Sequence, residues 1–438
     1  MNRRIFLKNA GALALADAAL TLLPSQLLAH ELLARRAARA GLSIMQGLTT
    51  ETTTQLTVDV PKAMRVAYTL TDRATGRVLN PAATRSVTNG SSPVRVDKIA
   101  FGGLELGHQY QLSVIDTASN KSLDERYLSP VDLSRSDARV AVMSCMKDSE
   151  SAHKTMWPSA QSANADYYFF VGDAVYGDTL FSHGPDKLWS RFVETRSTLG
   201  IYQWKTLKPV LAVWDDHDYG KNNEDGSYKH KAGTLAVFKA FFAQDKQEPV
   251  LYTGPGNSMC LRAFNQSYLF LDSRYFRKLS SNGMTGFLGA EQIKWATSLV
   301  KNTKGPVWVM EGSPFFGRAD KSSTSYQATA PKELDVFLKE VAGWNTPAVF
   351  MGGDVHYSEI SALDKKHLGY SSFEFVSSSM HSSTKSKYYQ NPNKQLQGSL
   401  KENFLMFDQT GAAGRPEWKV TCVGASNKTL FSGVYGVG

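Results

Sequence analysis

The sequence predicts an α/β protein in two parts: a small β-sandwich over residues 43–135, then two β layers sandwiched by helices over 138–438. Short apolar or alternating runs separated by turn signals fill the first part. From Ala138 onward, apolar runs are followed by helical periodicity. Several of these later runs break off abruptly into acids and histidines, as expected where the carboxyl ends of strands meet a ligand site.

In the first part, Thr54-Gln55-Leu56-Thr57-Val58-Asp59-Val60 alternates polar and apolar residues, the period of a half-buried strand. Further runs cover Met64 to Leu70, Val94 to Ala100, Tyr110 to Ile115 and Glu125 to Leu128. Ala74-Thr75-Gly76-Arg77, Asn89-Gly90 and Ser119-Asn120 punctuate them. Strands at this spacing fit a sandwich of the immunoglobulin or fibronectin type III kind, and Leu104 to Tyr110 resembles the turn into a late strand of such domains. No cluster of acids and histidines lies here, so this part is expected to pack on the larger one or to bind a partner.

In the second part, continuous apolar runs at Arg139–Met143, Tyr167–Val171, Val210–Trp214 and Ala348–Met351 suit strands buried on both faces. Helices are expected over 152–164, 186–197, 234–244, 290–302 and 331–342. The last opens on Pro331 and repeats Leu334, Phe337, Leu338 and Val341 at core spacing. Antiparallel signals recur around Leu261 to Arg274 and from Phe404 onward. No internal repeat or low-complexity tract occurs.

At 438 residues the chain exceeds a usual single core. Hydrophobic content of 42% with 20% charged residues describes a globular protein and excludes a disordered one. The net charge of +9 shrinks once residues 1–40 are set aside, leaving 43 basic against 38 acidic residues, too small a surplus to name a partner. Basic runs interleaved with aromatics are missing, so no dedicated nucleic-acid partner is expected. Arg3-Arg4-Ile5-Phe6-Leu7-Lys8 and the Ala/Leu-rich stretch after it resemble a twin-arginine export signal over 1–40, the alternative being a basic amphipathic helix. That signal implies the twin-arginine export machinery as a partner and a periplasmic or extracellular location. No other run reaches the ~18 apolar residues of a membrane span, so no transmembrane segment is expected in the mature form. Of three cysteines, Cys145 ends a strand among acids. Cys260 and Cys422 are free either to pair or to stay buried as thiols.

Tyr167–Val171 runs into Gly172-Asp173-Ala174-Val175-Tyr176-Gly177-Asp178, Val210–Trp214 into Asp215-Asp216-His217-Asp218, and Ala348–Met351 into Gly352-Gly353-Asp354-Val355-His356. Each alone has an ordinary structural explanation: a turn, a solvated acidic loop, a hydrogen-bonded pair. Converging on one sheet edge, so many carboxylates repel one another unless cations neutralise them. A carboxylate such as Asp173 can bridge two cations, and a tyrosine beside a trivalent metal can ligate as phenolate. Asp354 and His356, two apart, would share one side of an extended segment.

Together with Ser144-Cys145, Leu271-Asp272-Ser273-Arg274, Leu288-Gly289-Ala290-Glu291-Gln292-x-x-Trp295 and Gly353-Asp354-Val355-His356-Tyr357-Ser358, these motifs resemble the alkaline phosphatase D (PhoD-like) metallophosphoesterases from Met45 to near the C-terminus. The resemblance implies a four-layer αββα metallophosphoesterase-like catalytic domain and a multinuclear site of Fe3+ and Ca2+. Cys145, Asp173 and Tyr176 would hold the iron, with Asp216, Asp354 and His356 as further ligands. His217 matches the histidine beside the substrate. The activity implied is phosphoester hydrolysis, hydroxide made at the metals attacking phosphorus while His217 helps the leaving group depart. Arg274 could clamp a phosphate or pair internally with Asp272. Asp178, Asn222 and Asn223 are reserve ligands, capping being the favoured role for the two asparagines. A phosphodiesterase or phospholipase D-type hydrolase on the same scaffold remains the alternative. A non-catalytic calcium-binding surface protein would have no use for Cys145, Tyr176 and His217 together.

Overall fold

The computed structural model describes residues 42–438 apart from 91, 179–182, 281–282, 318–324, 389–390 and 411–415. The Arg3-Arg4 segment lies outside the described residues. Two four-stranded sheets form the first part. One runs Ile44–Thr49, Thr53–Pro61, Val94–Gly102, Ala83–Val87; the other runs Val78–Leu79, Val66–Asp72, Tyr110–Asp116, Lys121–Leu128. Leu56, Val58 and Val60 from the first sheet meet Leu70, Leu112 and Val114 from the second in a core of their own. Burying each such side chain contributes about 1.5–3 kcal/mol. Tyr110 opens its strand and its hydroxyl accepts the Glu105 backbone N–H at 2.9 Å, the corner contact typical of immunoglobulin-like sandwiches.

The sandwich docks on the larger part through buried cations. Arg196 ion-pairs with Asp59 at 3.3 Å and donates to the Thr57 carbonyl, while Lys98 Nζ donates to the Phe242 carbonyl at 3.1 Å and to Asp245 Oδ1 at 2.6 Å.

Two sheets face each other in the larger part. The first has six strands, in the order Val210–Val213, Tyr167–Val171, Arg139–Met143, Phe404–Gln409, Glu417–Val423, Thr429–Gly436. The second has eight: Leu251–Thr253, Met259–Ala263, Gln266–Phe270, Val307–Met310, Ala348–Gly352, Phe373–Val376, Ser358–Ala362, Lys394–Ser399. Strand alternation decides what each side chain meets. Phe169 points between the sheets onto Tyr268 and Phe270, with ring centroids at 4.9 and 5.1 Å; its neighbour Phe170 points outward to Trp157 at 6.3 Å. Trp308 likewise packs inward on Phe407 and Trp418, at 4.9 and 4.8 Å, while Val307 and Val309 join the outer core. Helices His153–Ala163, Pro185–Thr198 and Lys231–Phe241 cover the first sheet; Ala290–Val300 and Pro331–Ala342 cover the second. The result is four layers, αββα, preceded by a β-sandwich.

Parallel pairing aligns the strand ends. Phe170 pairs with both Met143 and Ala212, and Met310 with both Phe270 and Met351. The segments beginning at Ser144, Gly172, Trp214, Leu271, Glu311 and Gly353 therefore leave along one edge.

Candidate metal centre

Close packing at that edge depends on missing side chains. A Cβ on Gly172, whose φ is +87°, would lie 2.6 Å from Asp215 Cβ; one on Gly312, from the other sheet, would lie 2.5 Å from the same atom. Glycine at these two positions lets both sheets close around Asp215. The backbone then turns sharply, with Cys145, Asp173, Asp354 and His356 at φ of +58°, +53°, +66° and +59°. Such left-handed geometry costs about 1–3 kcal/mol per non-glycine residue and needs surrounding structure to hold it. For the Asp173 turn that hold is Asp218, whose buried carboxylate accepts the N–H groups of Ala174 at 3.2 Å, Val175 at 2.8 Å and Asp215 at 3.2 Å.

Three overlapping groups of donor atoms result, each within 4.8 Å internally: Cys145, Asp173 and His356; Asp173, Asp216 and His217; Asp215, Asp216 and Asp354. Cys145 Sγ lies 3.6 Å from Asp173 Oδ2. Tyr176 Oη stands 3.5 Å from His356 Nε2, whose other ring nitrogen, Nδ1, is 2.6 Å from the Ser383 carbonyl. That carbonyl takes a hydrogen from Nδ1, so Nε2 carries a lone pair toward the site. The His217 ring packs against Tyr176, tilted by 31° with ring centroids 4.2 Å apart, and its Nδ1 lies 2.6 Å from Asp178 Oδ1.

The electrostatics call for cations. Burial drives Asp173 far above the ordinary carboxylate range; His217 pulls it down, while Asp216, Asp215 and Asp218 add to the push. Burial raises the Cys145 thiol and the Tyr176 phenol in the same way, with Asp173 adding to both. Asp173 Oδ1 is buried without a hydrogen-bond partner. A positive ion among these atoms would satisfy that oxygen and reverse all three shifts, so the donor set fits metal ions.

Sequence expectation and structure part company at several residues. Asp354 and His356 do not share a side of an extended segment: both take left-handed φ, and they join different donor groups. Arg274 is wholly buried and ion-paired to Asp215 rather than to Asp272, whose carboxylate instead accepts the Arg274 backbone N–H at 2.9 Å. Asn222 and Asn223 donate backbone N–H groups to Asp178 and Asp216, at 3.1 and 2.7 Å. The sequence singles out Asp216 but assigns no role to Asp215 or Asp218, and it does not pick out Ser378 and Ser382, which touch Cys145 and Tyr176. Their only signal is a serine-rich run directly after the strand Phe373–Val376. Cys145, Cys260 and Cys422 are all buried free thiols.

Fold and site together define a metallophosphoesterase-like αββα architecture with an acid- and histidine-rich strand edge suited to metal ions. Across 90% of this chain and 88% of the other, it superimposes on the solved structure of PhoD with a TM-score of 0.65 at 15% sequence identity. The fold is thus PhoD-like. The crystal structure of a Thermus thermophilus protein, TT1561, aligns over 55% of this chain and 88% of its own at 11% identity, with a TM-score of 0.27, too low to indicate a shared fold. No family model matches the chain, and no curated protein matches it in sequence.

Proposed function

We propose that this protein is an exported, metal-dependent phosphoester hydrolase of the alkaline phosphatase D type. One observation supports this most directly: Asp173 and Asp216 each belong to two donor groups, so cations in adjacent groups would share ligands, as cooperating metal ions do. Donor chemistry sorts the groups. Thiolate, carboxylate, phenolate and imidazole from Cys145, Asp173, Tyr176 and His356 suit Fe3+, whereas the carboxylates of Asp216 and Asp354 suit Ca2+. Bound there, the cations would supply an activated water and neutralise the phosphate's non-bridging oxygens.

The chain's own residues would do the rest. Asp178 on Nδ1 fixes the His217 ring and leaves Nε2 to give a proton to the departing oxygen. Although burial opposes it, Asp173, Asp178 and Asp216 hold the His217 pKa up to about 10, the protonated state that a general acid needs. Cations at Asp173 and Asp216 would draw on the same charges and bring it down toward working pH. Arg274, sealed beneath Asp215, would balance the acids from below; its burial argues against contact with the phosphate itself. The Arg3-Arg4 motif supports export by the twin-arginine route to the periplasm or beyond. Among the described residues no helix is long and apolar enough to cross a membrane.

Elemental analysis beside rates on an aryl phosphomonoester, an aryl phosphodiester and a phospholipid, before and after chelation, tests the proposal. Metal-dependent hydrolysis is expected, together with a visible tyrosinate-to-iron band that Tyr176→Phe removes. Metal-replete protein inert toward all three substrates would refute it and favour the calcium-binding surface protein.

A further inference from the structure

Two serines beyond the strand Phe373–Val376 each touch two parts of the site. Ser378 Oγ donates to Cys145 Sγ at 3.0 Å and accepts the His356 backbone N–H at 2.9 Å. Ser382 Oγ lies 2.8 Å from Tyr176 Oη and 2.8 Å from the Cys145 carbonyl oxygen. Both serines are buried, with Ser378 at 0% and Ser382 at 1% exposure. One short segment thus grips a sulfur, a phenol oxygen and a histidine backbone, all belonging to residues assigned above to the iron.

Counting hydrogens shows what the grip does. A serine hydroxyl has one hydrogen to give and two lone pairs to receive with. Without a cation, the Tyr176 hydroxyl donates to Ser382, and Ser382 donates to the Cys145 carbonyl. A tyrosine oxygen bound to a cation has no hydrogen and can only accept. Two acceptors, that oxygen and the carbonyl, then compete for the single hydrogen of Ser382. The carbonyl keeps other donors, the Ser382 backbone N–H at 3.1 Å and the His381 N–H at 3.4 Å, so it can release the hydroxyl. Ser382 is therefore free to turn its hydrogen onto the tyrosine oxygen without moving its own backbone. At the sulfur the count differs. The Ser144 hydroxyl also lies near Cys145 Sγ, at 3.3 Å, but its hydrogen has a shorter acceptor in the Ser377 carbonyl at 2.8 Å. Ser378 is left as the sulfur's donor, and one of its two lone pairs accepts the His356 N–H.

We propose that Ser382 is a positioning residue for the Tyr176 ligand, its hydroxyl turning from the Cys145 carbonyl to the tyrosine oxygen when iron binds, and that Ser378 holds Cys145 and His356 in register for the same ion. This rests on the iron assignment made above. Partners one layer removed from a metal orient its ligands, and losing one commonly weakens metal affinity roughly 10–100-fold.

The test uses full-length, iron-loaded protein and two substitutions, Ser382→Ala and Ser382→Thr. Wild type comes first: a protein that binds no iron, or binds it without a tyrosinate band, sinks the iron assignment and the proposal with it. Given a band in wild type, Ser382→Ala should move it to longer wavelength, because a phenolate stripped of its hydrogen bond gives up charge more easily. Iron affinity should fall roughly 10–100-fold. Ser382→Thr, which keeps the hydroxyl, should restore both. The proposal is overturned if the alanine variant matches wild type in band and affinity. It is equally overturned if the alanine and threonine variants lose iron alike, since the hydroxyl would then not be the group that matters.

Discussion

Replacing Arg274 by methionine separates two roles for that residue. Its guanidinium is fully buried, paired through Nε with Asp215, with Nη2 3.9 Å from Asp216 and 3.2 Å from Ser313 Oγ. At an effective dielectric of ~20, Coulomb's law gives about 4 kcal/mol for the Asp216 pair alone. The nearer Asp215 carboxylate gains at least as much. Desolvating all three charges takes back much of that attraction, so the net worth of the pair is small. Removing only one partner is a different matter. The other charge stays buried and unpaired, which costs roughly 3–5 kcal/mol. In metal-free protein, Arg274→Met should therefore lower the free energy of unfolding by about that amount. The double variant Asp215→Asn with Arg274→Met, having neither charge, should regain most of it. Urea unfolding of wild type, both single variants and the double variant closes the cycle. A phosphate clamp would behave otherwise, leaving stability within about 0.5 kcal/mol of wild type and raising KM instead. That pattern would refute the charge-balancing role.

His217→Ala should lower turnover by roughly 10²–10⁴-fold while metal content stays near normal, with a smaller loss on an aryl ester whose leaving group needs no proton; metal lost along with activity would make His217 a ligand instead. Cys145 should resist alkylation in metal-loaded protein and react after chelation, because a ligated thiolate is masked. Rapid modification of the loaded protein at Cys145 would contradict its place on the iron. Changing Arg3 and Arg4 together to lysine should leave precursor in the cytoplasm, and an undiminished periplasmic yield would rule out the twin-arginine route.

The layers were readable from sequence because strand alternation and helical spacing are local properties. Phe169 and Phe170 announce a strand buried on both faces whatever lies opposite, and Leu334, Phe337, Leu338 and Val341 announce a helix face. Some of what escaped was weakly patterned, although Val307–Met310, an apolar buried strand, escaped as well. Val78–Leu79 is two residues long, and Ala83–Val87 is a largely exposed edge strand with three polar residues in five, which reads as loop.

At the site, position could be read but role could not. Asp215, Asp216 and Asp218 follow one strand within four residues, yet they serve three purposes. Asp215 meets Arg274 and lies in one donor group, Asp216 belongs to two donor groups, and Asp218 holds the Asp173 turn. They diverge because Asp216–Tyr219 is a helical turn, opened by Asp215 and Asp218 capping each other. In a helix side chains two residues apart point ~200° apart, so Asp218 faces away from the donor groups that Asp216 joins. An extended loop would have offered alternate acids to the same side. Arg274 misleads for a related reason. Asp272, two residues away, is the obvious local partner, but its carboxylate already accepts the N–H groups of Arg274, Tyr275 and Asn257, at 2.9, 2.9 and 2.8 Å. With that carboxylate committed to backbone donors, the guanidinium pairs with an acid 59 residues earlier in the chain. Pairing of that kind is fixed by how the two sheets close, and no local motif carries it.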